Sequence, residues 1–180
     1  MDLNTISSVA RPKSRAELPV WTAGDAWLAG GTWLFSEPQA HLHRLIDLTD
    51  LKWPALTISE TGLSIAATCS VAQLDALACP PDWIASPLIN QCCRAFLASF
   101  KIWKTATVGG NLCMSLPAGP MIALTAALDG VCTIWKADGS EQRARHLLPQ
   151  PKPGDPHTAV KPPSTTKNWP VIQEPCSEHR

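Results

Sequence analysis

The chain has no surplus of charge. Its 15 Lys and Arg residues are balanced by 15 Asp and Glu residues, and the formal net charge is zero. A chain without an excess of either sign is a poor bulk partner for nucleic acid or for an anionic membrane surface. Met1 to Arg15 contains no apolar h-region, so no secretory signal is expected. Formal charge is also missing from residues 105–128. A membrane span needs about 20 consecutive, predominantly apolar residues. Here Gly109, Gly110, Asn111, Pro117, Gly119 and Pro120 interrupt the run, which predicts a buried loop and a short helix instead.

Metal-binding patterns are scarce as well. The seven cysteines include no Cys-x-x-Cys pair, and ferredoxin-type spacings are missing. Cys92 and Cys93 are adjacent on a predicted helix, unsuited to an ordinary disulfide. The odd count and the missing signal fit a reducing cytoplasm, with the thiols acting as small buried hydrophobes. His41 and His43 stand two apart beside no further ligand set, so no metal site is expected. Gly-x-Gly-x-x-Gly is absent too, and no acidic residue ends a suitable second strand. An NAD-binding Rossmann unit therefore fits poorly.

Two glycine pairs stand out against these absences. One lies in Leu28-Ala29-Gly30-Gly31-Thr32-Trp33-Leu34, the other in Thr107-Val108-Gly109-Gly110-Asn111-Leu112. Glycine permits positive φ and lets backbone N–H groups approach a ligand with no Cβ in the way. Successive exposed N–H groups form an anion nest suited to phosphate. Two such turns in one small chain point to a diphosphate held from both sides.

The rest of the chain reads as alternating short elements. Trp27-Leu28-Ala29 and Leu45-Ile46-Asp47-Leu48 are predicted strands of a small β-α-β unit, with a helical or irregular stretch between them and a boundary near Lys52-Trp53-Pro54. Leu56–Ile58 and Leu63–Ala66 alternate around Glu60-Thr61-Gly62 as a hairpin. Ser70 and Gln73 match a capping box before a short helix. One helix is predicted over Pro87 to Phe100 and another over Pro120 to Leu128, with Pro120 placed for a first turn. Val131–Trp135 reads as a strand, Asp138-Gly139 as a hairpin turn, and Glu141–Arg145 as the return strand. Residues 146–180 hold eight of the seventeen prolines and lack apolar periodicity, which predicts a disordered tail.

The order of these parts resembles the flavin-binding subunit or domain of the molybdenum hydroxylases. That family includes the medium subunit of carbon monoxide dehydrogenase and the flavin domain of xanthine dehydrogenase. The matching stretch runs from about Asn4 to Arg145. It is strongest at Leu28–Leu34, at Ile65-Ala66-Ala67-Thr68 with Leu74, at Thr107–Leu112, and at the helix ending Ala127-Leu128-Asp129-Gly130.

The resemblance implies an α+β fold of the para-cresol methylhydroxylase type. A small N-terminal α/β subdomain (1–53) is followed by a larger, incomplete subdomain of antiparallel sheet and helices (54–145). FAD lies between them. By similarity, Leu28, Ala29, Gly30, Gly31, Thr32, Trp33 and Leu34 form one wall around its diphosphate. Thr107, Val108, Gly109, Gly110 and Asn111 form the other, and Leu97 lines the cofactor. No catalytic acid or base is implied, because the isoalloxazine ring carries the chemistry. Trp33 and Trp103 flank the two motifs, and Lys101 and Lys104 precede the second.

The chain departs from the family at two places. Family members carry an aspartate shortly after the second motif, where this chain has Pro120. They also continue past Trp135 with more sheet and a C-terminal subdomain, where this chain has the proline-rich tail. The resemblance implies an FAD-dependent oxidoreductase subunit. A [2Fe-2S] small subunit would deliver electrons to the FAD, and NAD, a quinone or oxygen would take them up. A large molybdenum-cofactor subunit would oxidise the substrate; both metal centres would come from partners. The alternative is a non-catalytic product, truncated or frame-shifted near Arg145, that no longer holds FAD stably.

Overall fold

The structure, a computed structural model, describes residues 4–116, 119–136 and 140–145, together with the backbone of 171–174. Two sheets organise these residues. The first is parallel, in the order β1 (Ser8–Ala10), β3 (Arg44–Asp47), β2 (Asp25–Leu28). The second is antiparallel, in the order β4 (Leu56–Ser59), β5 (Gly62–Ile65), β8 (Val171–Glu174), β6 (Val131–Trp135), β7 (Glu141–Ala144).

The parallel sheet keeps its centre dry. Ile46 is completely buried on β3, and Ala26, Leu34, Leu42 and Leu45 close a small core beside it. Between β2 and β3 the chain makes turns and no helix, so of the helical or irregular connection expected there the irregular form is found. β1 carried no sequence signal, being three residues long with Ser8 and Val9 exposed.

Asp25 anchors this sheet. Its side chain is 1% exposed and meets the Arg44 guanidinium at 2.5 Å, with a second bond from Arg44 Nε at 2.8 Å. The Thr22 amide donates to it at 2.7 Å. Burial pushes the Asp25 carboxyl up, but the Arg44 and Thr22 bonds together outweigh that and hold it below its ordinary value. A lowered folded value means the pair stabilises fully above the unfolded carboxylate range. That contribution fades as pH falls below about 4 toward the folded value. Asp25→Asn should cost about 3 kcal/mol at neutral pH. It should also flatten the acid limb of stability, read by urea unfolding at pH 7 and pH 3. Equal acid sensitivity in the two proteins would exclude this role for Asp25.

The second unit adds five helices to its sheet: α1 (Val71–Asp75), α2 (Ser86–Ala95), α3 (Phe100–Thr105), α4 (Val108–Met114) and α5 (Pro120–Ala127). Val71, Leu74, Cys93, Leu112, Met121 and Leu124 form the centre of its core. The capping box at Ser70 and Gln73 is formed in both directions, an arrangement that contributes about 1 kcal/mol. Burial pushes the Cys69 and Cys93 thiols up to about 12 and Cys132 to about 11. They are neutral core side chains. Among the described residues no helix is long and apolar enough to cross a membrane.

Three expectations are corrected. The single helix over Pro87–Phe100 is two helices, because the chain turns extended at Phe96 and Ser99 caps a new helix, accepting from the Ile102 amide. The second glycine pair lies inside a helix, α4, capped by Thr107. Within the proline-rich stretch, Val171–Glu174 pairs with both β5 and β6 and joins the two halves of the sheet. β-branched Val171-Ile172 suits a strand. The reason to form one is the pair of open edges on β5 and β6, distant in sequence. Residues 146–170 and 175–180 lie outside the described residues, as does the Asp138-Gly139 turn, although β6 and β7 pair as a hairpin would require.

Candidate functional site

The first glycine motif leaves the sheet at the end of β2. Leu48 donates to the Leu28 carbonyl at 2.9 Å, and this bond ends the strand pairing. From Ala29 to Leu34 no backbone N–H has an acceptor among the described residues. The carbonyls behave differently: Gly31 accepts from Phe35 at 2.9 Å and Trp33 from Ser36 at 2.9 Å. The loop therefore uses its acceptors internally and leaves a run of donors unused. Gly31 has a φ of 68°, which an L-residue with a Cβ rarely adopts. Leu28 to Trp33 are half-buried, and Leu34 is buried in the core. Thr32 adds a hydroxyl beside the donors. A run of unused amides beside a left-handed glycine is what an anion nest requires.

The two motifs meet. A Cβ on Gly30 would lie 1.8 Å from the Thr105 carbonyl oxygen, and 3.3 Å from Ala106 Cα. Backbone thus touches backbone, two residues before Thr107. Thr105 carried no sequence signal for this role, because the contact depends on a tertiary approach between segments 75 residues apart.

The second motif is built differently. Val108 donates to the Cys69 carbonyl at 2.8 Å, and Gly109 donates to the Ala67 carbonyl at 3.0 Å. Gly110 donates to Thr107 Oγ1 at 3.1 Å, and Asn111 to the Thr107 carbonyl at 3.0 Å. The expected free amides of Gly109 and Gly110 are therefore already in use. Gly109 is needed for closeness: a Cβ there would sit 2.6 Å from Ala67 Cβ. Ala67 is the partner that sequence reasoning missed; its small side chain in Ala66-Ala67 was the available signal.

Asn111 is also engaged. Its Oδ1 accepts from the Met121 amide at 3.2 Å. Pro120 has no N–H, so Met121 carries the first free donor of α5, and Gly119 offers no side-chain cap. Asn111 Nδ2 and the Thr107 hydroxyl proton remain as donors on this side. Leu97 stands between α2 and α3 and is 97% exposed. Trp103 is held by a bond from its Nε1 to the Phe96 carbonyl at 3.0 Å. Lys101 and Lys104 are exposed, with Lys104 Nζ 5.9 Å from the Phe100 ring. Among the described residues, no group of three or more His, Cys, Asp or Glu side chains could hold a metal.

The donor set fits a diphosphate at the first loop. Six consecutive unpaired amides flank a close backbone approach, and the two residual side-chain donors belong to the segment that touches the loop. Helix α4 offers no free N-terminal amide for the same purpose.

Known proteins show the same architecture. The chain superposes on CO dehydrogenase from Oligotropha carboxidovorans with a TM-score of 0.69 at 23% identity, covering 95% of this chain and 59% of that one. CO dehydrogenase from Hydrogenophaga pseudoflava, lacking the Mo-pyranopterin moiety of its molybdenum cofactor, gives 0.68 at 17% identity, covering 96% and 60%. Quinoline 2-oxidoreductase from Pseudomonas putida 86 gives 0.61 at 17% identity, covering 93% and 58%. The chain thus spans about three-fifths of these structures' chains. No curated protein sequence matches it. The family described as the FAD binding domain in molybdopterin dehydrogenase matches residues 6–151. By that match, which spans most of its length and includes both glycine motifs, the chain belongs to the FAD-binding domains of the molybdopterin dehydrogenases.

Proposed function

We propose that the chain holds FAD by its diphosphate at Ala29–Leu34 and serves as the flavin relay of a molybdenum hydroxylase. The unpaired amides of Ala29 to Leu34 carry this reading. Hydrogen bonds from such amides to a charged acceptor are shorter and stronger than neutral ones. Thr107 and Asn111 add side-chain donors from the facing segment, while Val108, Gly109 and Gly110 shape that wall by packing. Leu97, exposed beside α3, offers an apolar surface to the cofactor. Bound there, FAD would supply the redox chemistry of the relay. The chain's own task is to bind, orient and screen. In the proposed complex a [2Fe-2S] small subunit supplies electrons and a molybdenum-cofactor subunit oxidises the substrate. NAD, a quinone or oxygen receives the electrons. Thiols buried as neutral core side chains, such as Cys69, Cys93 and Cys132, fit a reducing cytoplasm.

A charge placed in the nest tests this. Gly31→Asp puts a carboxylate among the donors; the atoms nearest its Cβ belong to the movable Phe35 ring and Leu28 side chain, and Asp is among the residues that best tolerate the φ of 68°. FAD affinity should fall about 100-fold or more, from like-charge repulsion and lost amide bonds. The check is the visible flavin spectrum after desalting. Wild-type chain that retains no flavin, or Gly31→Asp chain that retains it fully, would overturn the reading.

A further inference from the structure

The two sheets are joined at a second place, away from the glycine motifs. Arg15 lies in a 3-10 turn (Arg15–Glu17) between β1 and β2. Its guanidinium sits 4.6 Å from the centroid of the Trp135 ring on β6. Its Nη1 donates to Glu141 Oε2 at 3.0 Å, on β7. Trp135 and Glu141 are direct cross-strand partners, so one side chain grips both strands. The Trp135 ring is also met edge-on by Trp53 at 5.3 Å and 80°. Trp53 follows Lys52, which has a φ of 50° and ends the turn leading out of the parallel sheet. A residue of the first unit, a residue of the connecting segment and two strands of the second unit therefore share one cluster.

We propose that Arg15 is a positioning residue for the flavin site, a latch that holds the parallel sheet against the antiparallel one. The inference rests on the FAD reading above. The atoms nearest a Cβ on Gly30 are all backbone, of Thr105 and Ala106, so the contact is one of two backbones in touch. Rotation about the segment near Lys52 would separate them. Arg15 opposes that rotation by tying its 3-10 turn to β6 and β7, and a planar guanidinium suits both stacking and a carboxylate. If the latch opens, the fraction of chains with a closed site falls, and apparent FAD affinity falls by the same factor.

The test uses the full chain with two readouts. The first is FAD affinity by fluorescence titration. The second is tryptic cleavage after Lys52 without FAD, compared with cleavage after Arg44 inside the parallel sheet. Arg15→Ala and Glu141→Ala should each weaken FAD binding by about threefold to tenfold. Both should also speed cleavage after Lys52 severalfold and leave the Arg44 site unchanged. Arg15→Lys should recover part of each effect. Unchanged FAD affinity in both alanine variants overturns the proposal, even if cleavage rises. Equal acceleration at Lys52 and Arg44 also overturns it, because it reports general destabilisation. A wild-type chain that binds no FAD overturns the flavin reading itself; unchanged cleavage after Lys52 in the variants would then dismiss the latch as well.

Discussion

Gly30→Ala is expected to lose flavin while keeping its fold. The added Cβ would lie 1.8 Å from the Thr105 carbonyl oxygen and 2.8 Å from its carbon. Both are backbone atoms, so no rotamer change relieves the clash. Ordinary contact requires about 3.5 Å, and the loop must therefore withdraw by more than about 1 Å. That movement shifts every donor from Ala29 to Leu34 relative to Thr107 and Asn111. Losing two bonds to a charged acceptor, at about 1.5–3 kcal/mol each, weakens binding about 100-fold or more. The flavin-free protein should lose only about 1–3 kcal/mol, because the loop is half-buried and can yield. Flavin absorbance after desalting, beside a thermal melt of the flavin-free protein, separates the two effects. Wild-type flavin content in Gly30→Ala would show that the approach of the two segments is irrelevant to the site.

The same contact marks how far the sequence could be read. The loop itself was legible: a strand ending in Gly30-Gly31 with Thr32 beside it has local chemistry that needs no partner. The strand at Leu45–Asp47, the hairpin around Gly62, the Ser70–Gln73 box and the Pro120 start of α5 were legible for the same reason. Each is decided within about ten residues. What escaped depends on distant chain. β1 is three residues of an edge, and β8 exists because β5 and β6 each present an unfilled edge. The break at Phe96 arises as Ser99 caps a fresh helix and the Trp103 ring binds the Phe96 carbonyl. The second glycine pair was legible as a feature and misread as a nest, because glycine serves equally for exposed amides and for close packing. Only the carbonyls of Ala67 and Cys69, some forty residues earlier, decide between the two.

That distinction predicts that Gly109→Ala fails in a different way from Gly30→Ala. Its Cβ would stand 2.6 Å from Ala67 Cβ, 2.7 Å from the Ala67 carbonyl oxygen and 2.8 Å from Ala67 Cα. Gly109 is buried, and its own amide bonds that same carbonyl at 3.0 Å. Relief requires α4 to move off the Ala67–Cys69 segment, breaking a buried bond and the core contacts of Val108 and Leu112. Overpacking costs about 1–3 kcal/mol and an unsatisfied buried amide about 1–3 more. Against a total stability of about 5–15 kcal/mol, the melting temperature should drop by about 10 °C or more. Gly110→Ala is the control: its Cβ meets Thr107 Oγ1 alone, at 3.0 Å. Helix propensity favours Ala by about 1 kcal/mol, which offsets that one tight contact, so the variant should melt within a few degrees of wild type. The contrast is read by circular dichroism melts of the flavin-free chains. A Gly109→Ala chain that melts like wild type but loses flavin would reverse the assignment. Helix α4 would then have to release Ala67 and Cys69 and turn its amides to the diphosphate on binding.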